Sequence, residues 1–347
     1  MHGVGSGAVK IAILFFNLRE TANLANHCHS HDSDYLHPGM EKILVTGGAG
    51  FIGSYLVESL VKTGAKVVVA DTLLRGNKIP KDILKEVELH VVDVRDTDQI
   101  IKLGRSMDAI FHFAAILGVD IVADNPVETM DVEVKGMYSV GKSAEVNGVP
   151  KIIYASTSGV YGHHAMQRSV TEEITIDPKT SYAMAKRFNE IYLAALHEEK
   201  GINGIALRFF NIYGARQDNR MVIPRFFEQA LSNQPITVYG NGHQTRDFTW
   251  VDDAIKSSLA LAAKAEGFEI FNVANEKELT ILELATRILE ITGSKSELQL
   301  VNAPSKRYDY EVDRRFGSSD KLYKAIGYKP NTPIEEGLRH ILTSIKV

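Results

Sequence analysis

The residues best suited to chemistry form two groups. Tyr182 and Lys186, in the run SYAMAK at 181–186, are spaced i, i+4, so a helix would put both on one face. An ammonium beside a phenol favours the phenolate, and a phenolate available near neutral pH is a general base for a substrate hydroxyl. The second group is Ser156-Thr157-Ser158, which follows the apolar run KIIYA at 151–155. Ligands of open α/β sheets bind beyond the carboxyl ends of the strands. A hydroxyl at Thr157 could therefore hold the substrate while Tyr182 takes its proton. Thr157, Tyr182 and Lys186 are the expected catalytic residues.

This chemistry needs a hydride acceptor, and the start of the domain offers a place for one. The run KILVT at 42–46 leads into GGAGFIG at 47–53. Gly47, Gly50 and Gly53, with Phe51 and Ile52, fall where a strand turns into a helix. Glycines there allow a tight turn, a close approach to pyrophosphate, and close helix–strand packing. The helix N-terminus then presents free N–H groups to the phosphates. An acid is expected about 20 residues on, at the end of the second strand, and Asp71 stands there. Its carboxylate suits adenosine ribose hydroxyls and repels a 2′-phosphate, so the expected cofactor is NAD. Arg75 is read as a loop charge. Asp93 and Val94 are placed to reach adenine, and Phe113, Ala114 and Ala115 to let the dinucleotide lie close.

Parallel strands buried on both faces read as short apolar runs. Six such runs are expected as strands: 42–46, 66–70, 89–92, 109–113, 151–155 and 205–209. A helical pattern covers 51–63, and further helices are expected near 222–231, 253–263 and 280–292. Strand–helix alternation predicts an α/β fold: a doubly wound parallel sheet with helices on both faces. The expected organisation is an extension at 1–39, a dinucleotide-binding Rossmann domain at 40–210 with a later contribution from about 240–265, and a smaller mixed α/β substrate-binding lobe at 211–347.

Composition sets limits on the partners. The 347 residues are 44% hydrophobic and 24% charged, with a formal net charge of -4. That balance is ordinary for a globular protein and gives no general attraction to nucleic acid or an anionic membrane. The one cysteine, Cys28, excludes an internal disulfide, and a cytoplasmic location is expected. The apolar stretch 9–16 is too short to span a bilayer. His27, Cys28, His29, His31 and His37 in the extension are types that bind zinc. They are read as part of a polar leader, and no metal is expected.

Taken together, GGAGFIG (47–53), HFAA (112–115), STSGVYG (156–162), SYAMAK (181–186), RFFNIYG (208–214) and TVYGNGHQTRDFTWVDD (237–253) resemble the extended short-chain dehydrogenase/reductases that modify nucleotide sugars. The resemblance runs from Lys42 to the C-terminus. It implies NAD as cofactor, a nucleotide-sugar substrate, a homodimer formed through a helical bundle, and Thr157, Tyr182 and Lys186 as the catalytic trio. It also implies that Asn211 contacts the diphosphate, Tyr239 stacks on the base, and Arg246 binds phosphate oxygens, for which a guanidinium is suited. A second diphosphate arginine is expected at Arg307, with Arg314 and Arg315 as competitors. One position departs from the family: Glu133 stands where asparagine is usual.

The family begins by oxidising the sugar at C4, and its branches differ in the later steps. Its dehydratases carry an Asp-Glu pair after the threonine, where this chain has Ser158 and Gly159. Its decarboxylases usually have glutamate at the position of Gly159, and its 3,5-epimerase/reductases use a site cysteine, whereas Cys28 precedes the first strand. Four-epimerisation needs only the trio and a tightly held NAD, and is the expected reaction, with a dehydratase as the alternative. A binding protein without catalysis is a further alternative. His163 and His164 are read as loop residues.

Overall fold

The computed structural model describes residues 40–116, 119–166, 169–302 and 313–346. The first half alternates strand and helix. It runs β1 (Lys42–Thr46), α1 (Phe51–Lys62), β2 (Lys66–Asp71), β3 (Val87–Val91), α2 (Thr97–Leu103), β4 (Ala109–His112), α3 (Val119–Asp124), α4 (Pro126–Asn147), β5 (Lys151–Thr157), α5 (Ser181–Lys200) and β6 (Asn203–Phe209). The second half is more broken. It contains β7 (Ile212–Tyr213), α6 (Val222–Leu231), β8 (Ile236–Tyr239), β9 (Thr245–Asp247), β10 (Thr249–Trp250), α7 (Val251–Lys264), β11 (Phe268–Val273), β12 (Glu278–Thr280), α8 (Ile281–Thr292), β13 (Leu298–Val301), α9 (Asp320–Ile326) and α10 (Ile334–Lys346).

Seven strands form one sheet in the order β11-β6-β5-β4-β1-β2-β3, and every pairing in it is parallel. This is the expected doubly wound Rossmann sheet, and the six expected strands are all in it. The seventh, β11, extends the edge beyond β6 through the register Phe268↔Gly204 to Val273↔Phe209.

The apolar runs become strands because the sheet buries both faces. Ile43 and Val45 point into one core cluster with Val67, Val69, Phe111 and Ile153. Leu44, between them, points into the other with Ile110, Ile152, Tyr154 and Ala206. Burying a side chain such as Leu44 stabilises by about 2 kcal/mol, so a polar substitution along these runs would be costly on either face.

The strand order reverses direction between β1 and β4, and a ligand crevice opens at such a switch point. Two buried carboxylates fasten segments of the C-terminal half to one another. Asp247 accepts the N–H groups of Asn275, Glu276 and Gly317 at 3.0, 3.1 and 3.2 Å. Asp253 accepts the Tyr328 hydroxyl and the N–H groups of Asn331 and Thr332 at 2.6, 3.1 and 2.9 Å. Among the described residues, no helix is long and apolar enough to cross a membrane.

Candidate active site

The glycine turn joins β1 to α1 across the mouth of the sheet. Gly47 has φ +72°, and a Cβ there would lie 2.5 Å from the Ala114 backbone nitrogen. A Cβ on Gly53 would lie 2.1 Å from the Gly47 carbonyl oxygen. Gly50 caps α1 without a side-chain hydrogen bond, and the first turn, from Phe51 and Ile52 onward, has no acid. The N-terminal N–H groups of α1 thus remain available to an anion, and backbone can approach it closely. These features fit the pyrophosphate of a dinucleotide.

At the end of β2, Asp71 accepts the Ala49 N–H at 3.0 Å and the Leu73 N–H at 2.8 Å. Burial pushes its carboxyl above the usual carboxylate range, against the pull of those N–H donors. Arg75 lies 3.9 Å from Asp218 across the loop. Beyond β3, the Asp93 carboxylate is held by Arg95 at 2.6 Å, and Arg95 also reaches Glu128 and Asp131 at 2.9 and 3.1 Å. The hydrogen bond from Arg95 keeps Asp93 below its ordinary pKa. A cofactor reaching Asp93 would share that carboxylate with Arg95. Val94 is buried, and a Cβ on Gly136 of α4 would lie 2.8 Å from it. Phe113 donates its N–H to Thr46 at 2.9 Å, which draws Phe113, Ala114 and Ala115 to the β1 end of the crevice.

The expected catalytic residues come together around β5 and α5. Thr157 is the last residue of β5, and its Oγ1 accepts the Gly159 N–H at 3.1 Å. Thr180 caps α5 by accepting the Ala183 N–H, which puts Tyr182 in the first turn and Lys186 one turn on. A Cβ on Gly159 would be 3.5 Å from Ala183 Cβ, so the Thr157 turn rests on the start of this helix. Lys186 Nζ lies 5.3 Å from the Tyr182 ring centroid and 4.7 Å from that of Tyr154. Its charge partner is Glu133 of α4, 3.0 Å away, with both side chains fully buried. Burial pushes the Tyr182 phenol well above its ordinary value, and the Glu133 charge adds to the rise.

The sequence did not mark the groups beneath this pair. The Tyr154 hydroxyl accepts from Asn189 at 2.8 Å. His112 stacks on Tyr154 with ring centroids 5.5 Å apart and shares a 2.7 Å hydrogen bond with Thr46. The available signal was a polar residue inside an apolar strand: His112 in AIFH and Tyr154 in KIIYAST. His163 and His164 are exposed.

On the substrate side, β6 ends beside β5, with Phe209 in register with Thr157. Asn211 follows at φ +35°, a region that costs a non-glycine residue energy and often marks functional sites. Its Nδ2 donates to the Asp247 carbonyl at 3.0 Å, which draws Asn211 next to Arg246. Arg246 donates to the Thr245 carbonyl at 2.7 Å. Tyr239 ends β8, and the Arg225 guanidinium covers its ring at 4.8 Å. Arg314 binds Glu278 through two hydrogen bonds at 2.7 and 2.6 Å. Arg315 passes its carbonyl to the Asp247 N–H. Arg307 and the histidine-rich extension with Cys28 lie outside the described residues. Among the described residues, no group of three His, Cys, Asp or Glu could hold a metal ion.

This glycine turn, acid and hydroxyl–tyrosine–lysine group on a seven-stranded parallel sheet define a dinucleotide-dependent enzyme. Residues 43–274 match the model of the NAD dependent epimerase/dehydratase family, and the chain belongs to that family, whose cofactor is NAD. It is 33% identical over 314 residues to a UDP-N-acetyl-alpha-D-glucosaminuronate decarboxylase of Bacillus cytotoxicus, covering 87% of this chain and 97% of that protein. It is 32% identical over 309 residues to a putative UDP-glucose 4-epimerase of Methanocaldococcus jannaschii, covering 88% and 98%. The structure of the Thermus thermophilus UDP-glucose 4-epimerase in complex with NAD superposes with a TM-score of 0.80 at 30% identity, covering 88% of this chain and 99% of that one.

Proposed function

We propose that this protein is an NAD-dependent nucleotide-sugar 4-epimerase acting on a UDP-hexose or UDP-N-acetylhexosamine through a transient 4-keto sugar. The observation that carries the reading is the turn after Thr157. Ser158 is buried and Gly159 has no side chain, so the two positions after Thr157 offer no carboxylate to remove a second proton, and the nearby Glu133 carboxylate is committed to Lys186. Tyr182 takes the proton of the sugar 4-hydroxyl, and Thr157 holds that hydroxyl toward it. Bound NAD supplies reversible hydride exchange at C4. The keto sugar turns over, and Tyr182 returns its proton to the oxygen on the other face. Asn211 and Arg246 hold the diphosphate and Tyr239 stacks on the base, with Arg225 moving off its ring. The glycine turn at 47, 50 and 53 holds the pyrophosphate of NAD, and Asp71 its ribose.

The test is incubation with a panel of UDP-, GDP- and dTDP-sugars in deuterated buffer, followed by proton NMR. A C4 epimer without solvent deuterium is expected. A 4-keto-6-deoxy product carrying deuterium beside the carbonyl would make the enzyme a dehydratase. The relationship to the Bacillus cytotoxicus decarboxylase favours one second reading, in which oxidation of a sugar acid at C4 is followed by loss of its carboxyl as CO2, protonation at C5 and return of the hydride to C4. Release of CO2 from a UDP-sugar acid in the same panel would select it. Tyr182→Phe is expected to lower kcat by about 10²–10⁴-fold with nucleotide-sugar binding retained.

We also propose a homodimer. Met184, Phe188 and Ile191 of α5 are 47, 49 and 54% exposed, beside Met130 and Tyr138 of the adjacent α4 at 41 and 52%. Large exposed apolar side chains gathered on two packed helices fit an interface. Light scattering should give twice the chain mass, and Phe188→Glu/Ile191→Glu should give the monomer.

A further inference from the structure

The ion pair between Glu133 and Lys186 is out of place as a purely structural element. Glu133 Oε1, Glu133 Oε2 and Lys186 Nζ are fully buried, and none completes a hydrogen bond of normal geometry, although Nζ and Oε2 are 3.0 Å apart. Burying an ion pair costs several kcal/mol per ion, which is offset only where the remaining donors and acceptors are satisfied. Here they are not. The pair also lies against Tyr182, the residue whose protonation state matters most.

We propose that Glu133 is a positioning residue: its carboxylate fixes the Lys186 ammonium beneath Tyr182 and, as a negative charge buried in the same pocket, keeps Tyr182 a phenol until the positive charge of an oxidised cofactor arrives. The inference rests on the reading of Tyr182 as the proton-transfer residue. Its physical basis is charge balance. A lone lysine beside a phenol draws out the proton, whereas a lysine already neutralised by a carboxylate does so much less. The groups facing Glu133 are Lys186 and Tyr182 of α5, Tyr154 of β5 and the Ile116 amide. His112 of β4 faces Lys186 from behind Tyr154 and is held neutral by burial and by the lysine charge. Glu190 contributes from the far side of Tyr154. Among these, the direct negative influence on Tyr182 is Glu133. The device would keep the base silent in the empty protein and couple its activation to NAD binding.

The test uses the full chain labelled with 13Cζ-tyrosine, with the Tyr182 resonance assigned by its loss in Tyr182→Phe. In the cofactor-free wild type, Tyr182 should keep a phenol shift through pH 10. In Glu133→Gln its ionisation should begin at least one pH unit lower, a tenfold larger phenolate fraction at a given pH. Glu133→Asp, which keeps the charge, should follow the wild type. Glu133→Asn, which is also neutral and keeps Lys186, serves where Glu133→Gln does not fold, and its Tyr182 ionisation must also begin below that of the wild type. In the NAD-loaded enzyme, the acid limb of kcat should move down with the resonance. An unchanged Tyr182 titration in the neutral Glu133 variants overturns the proposal, even if melting temperature falls. Turnover surviving in Tyr182→Phe would instead defeat the catalytic reading, and the titration would still report on Glu133.

Discussion

Helix α5 carries two buried ion pairs one turn apart, and they are built on opposite plans. Glu190 is saturated: its Oε1 accepts Ser156 Oγ at 2.7 Å and Arg208 Nε at 2.8 Å, and its Oε2 accepts Arg208 NH2 at 2.8 Å and Arg187 NH1 at 3.1 Å. Arg208 also donates from Nη1 to the Tyr161 hydroxyl, which donates to Asn272. The Lys186–Glu133 pair is as deeply buried, yet its atoms lack bonds of normal geometry. Native interiors satisfy nearly all buried polar groups, and exceptions cluster where a ligand or proton belongs. The saturated pair reads as scaffold that locks α5 to β5 and β6. The loosely bonded pair reads as charge placed to act on Tyr182.

The largest effect that tests this contrast is on the scaffold side. Arg208→Met strands the Glu190 carboxylate and should cost about 3–5 kcal/mol in urea unfolding, with the Tyr182 titration unmoved in whatever protein folds. A cost below about 1 kcal/mol would mean that the two pairs do not differ in kind.

The next effect is smaller and depends on pH. Burial, and then the Lys186 charge, lower the His112 pKa to about 3 from its ordinary 6.5. Between these values the unfolded chain binds a proton that the folded chain refuses. Stability from this residue is therefore complete above pH 6.5 and is lost as pH falls toward 3, by about 2 kcal/mol at pH 5. His112→Phe keeps a ring on Tyr154 and should remove that slope, at a pH-independent cost from the lost Thr46 bond. Thermal unfolding from pH 7.5 to pH 4.5 would show it. Parallel curves for the two proteins would mean that His112 is already protonated in the fold.

The same contrast separates what the sequence made legible from what it did not. Strands β1 to β6 are continuous apolar runs because both faces of a parallel sheet are buried, and a run of that kind is visible without a structure. Strand β11 escaped because FEIFNV is broken by Glu269 and by Asn272, whose side chain serves Tyr161. Within the site, the glycine turn, Asp71, Thr157, Tyr182 and Lys186 carry their spacing in the chain itself. Glu133 was marked only as an unusual residue. Its meaning depends on α4 packing on α5, a contact between distant segments that no local pattern encodes. The Asp247 and Asp253 anchors were hidden likewise, since their partners are backbone N–H groups of any sequence.

The smallest effect on stability is the sharpest test of the contrast. Glu133→Gln/Lys186→Met removes both charges from the orphaned centre. An unsatisfied buried pair gives back less than its desolvation costs, so replacing it should leave stability unchanged or raise it by about 1 kcal/mol, while turnover is lost with Lys186. Urea unfolding of the cofactor-free variant measures the first, and the sugar panel the second. A loss of stability comparable to that of Arg208→Met would show that the Glu133–Lys186 pair also holds the fold together. A gain with loss of turnover would mean that the protein accepts an energetically poor arrangement beneath Tyr182 because the chemistry needs it there.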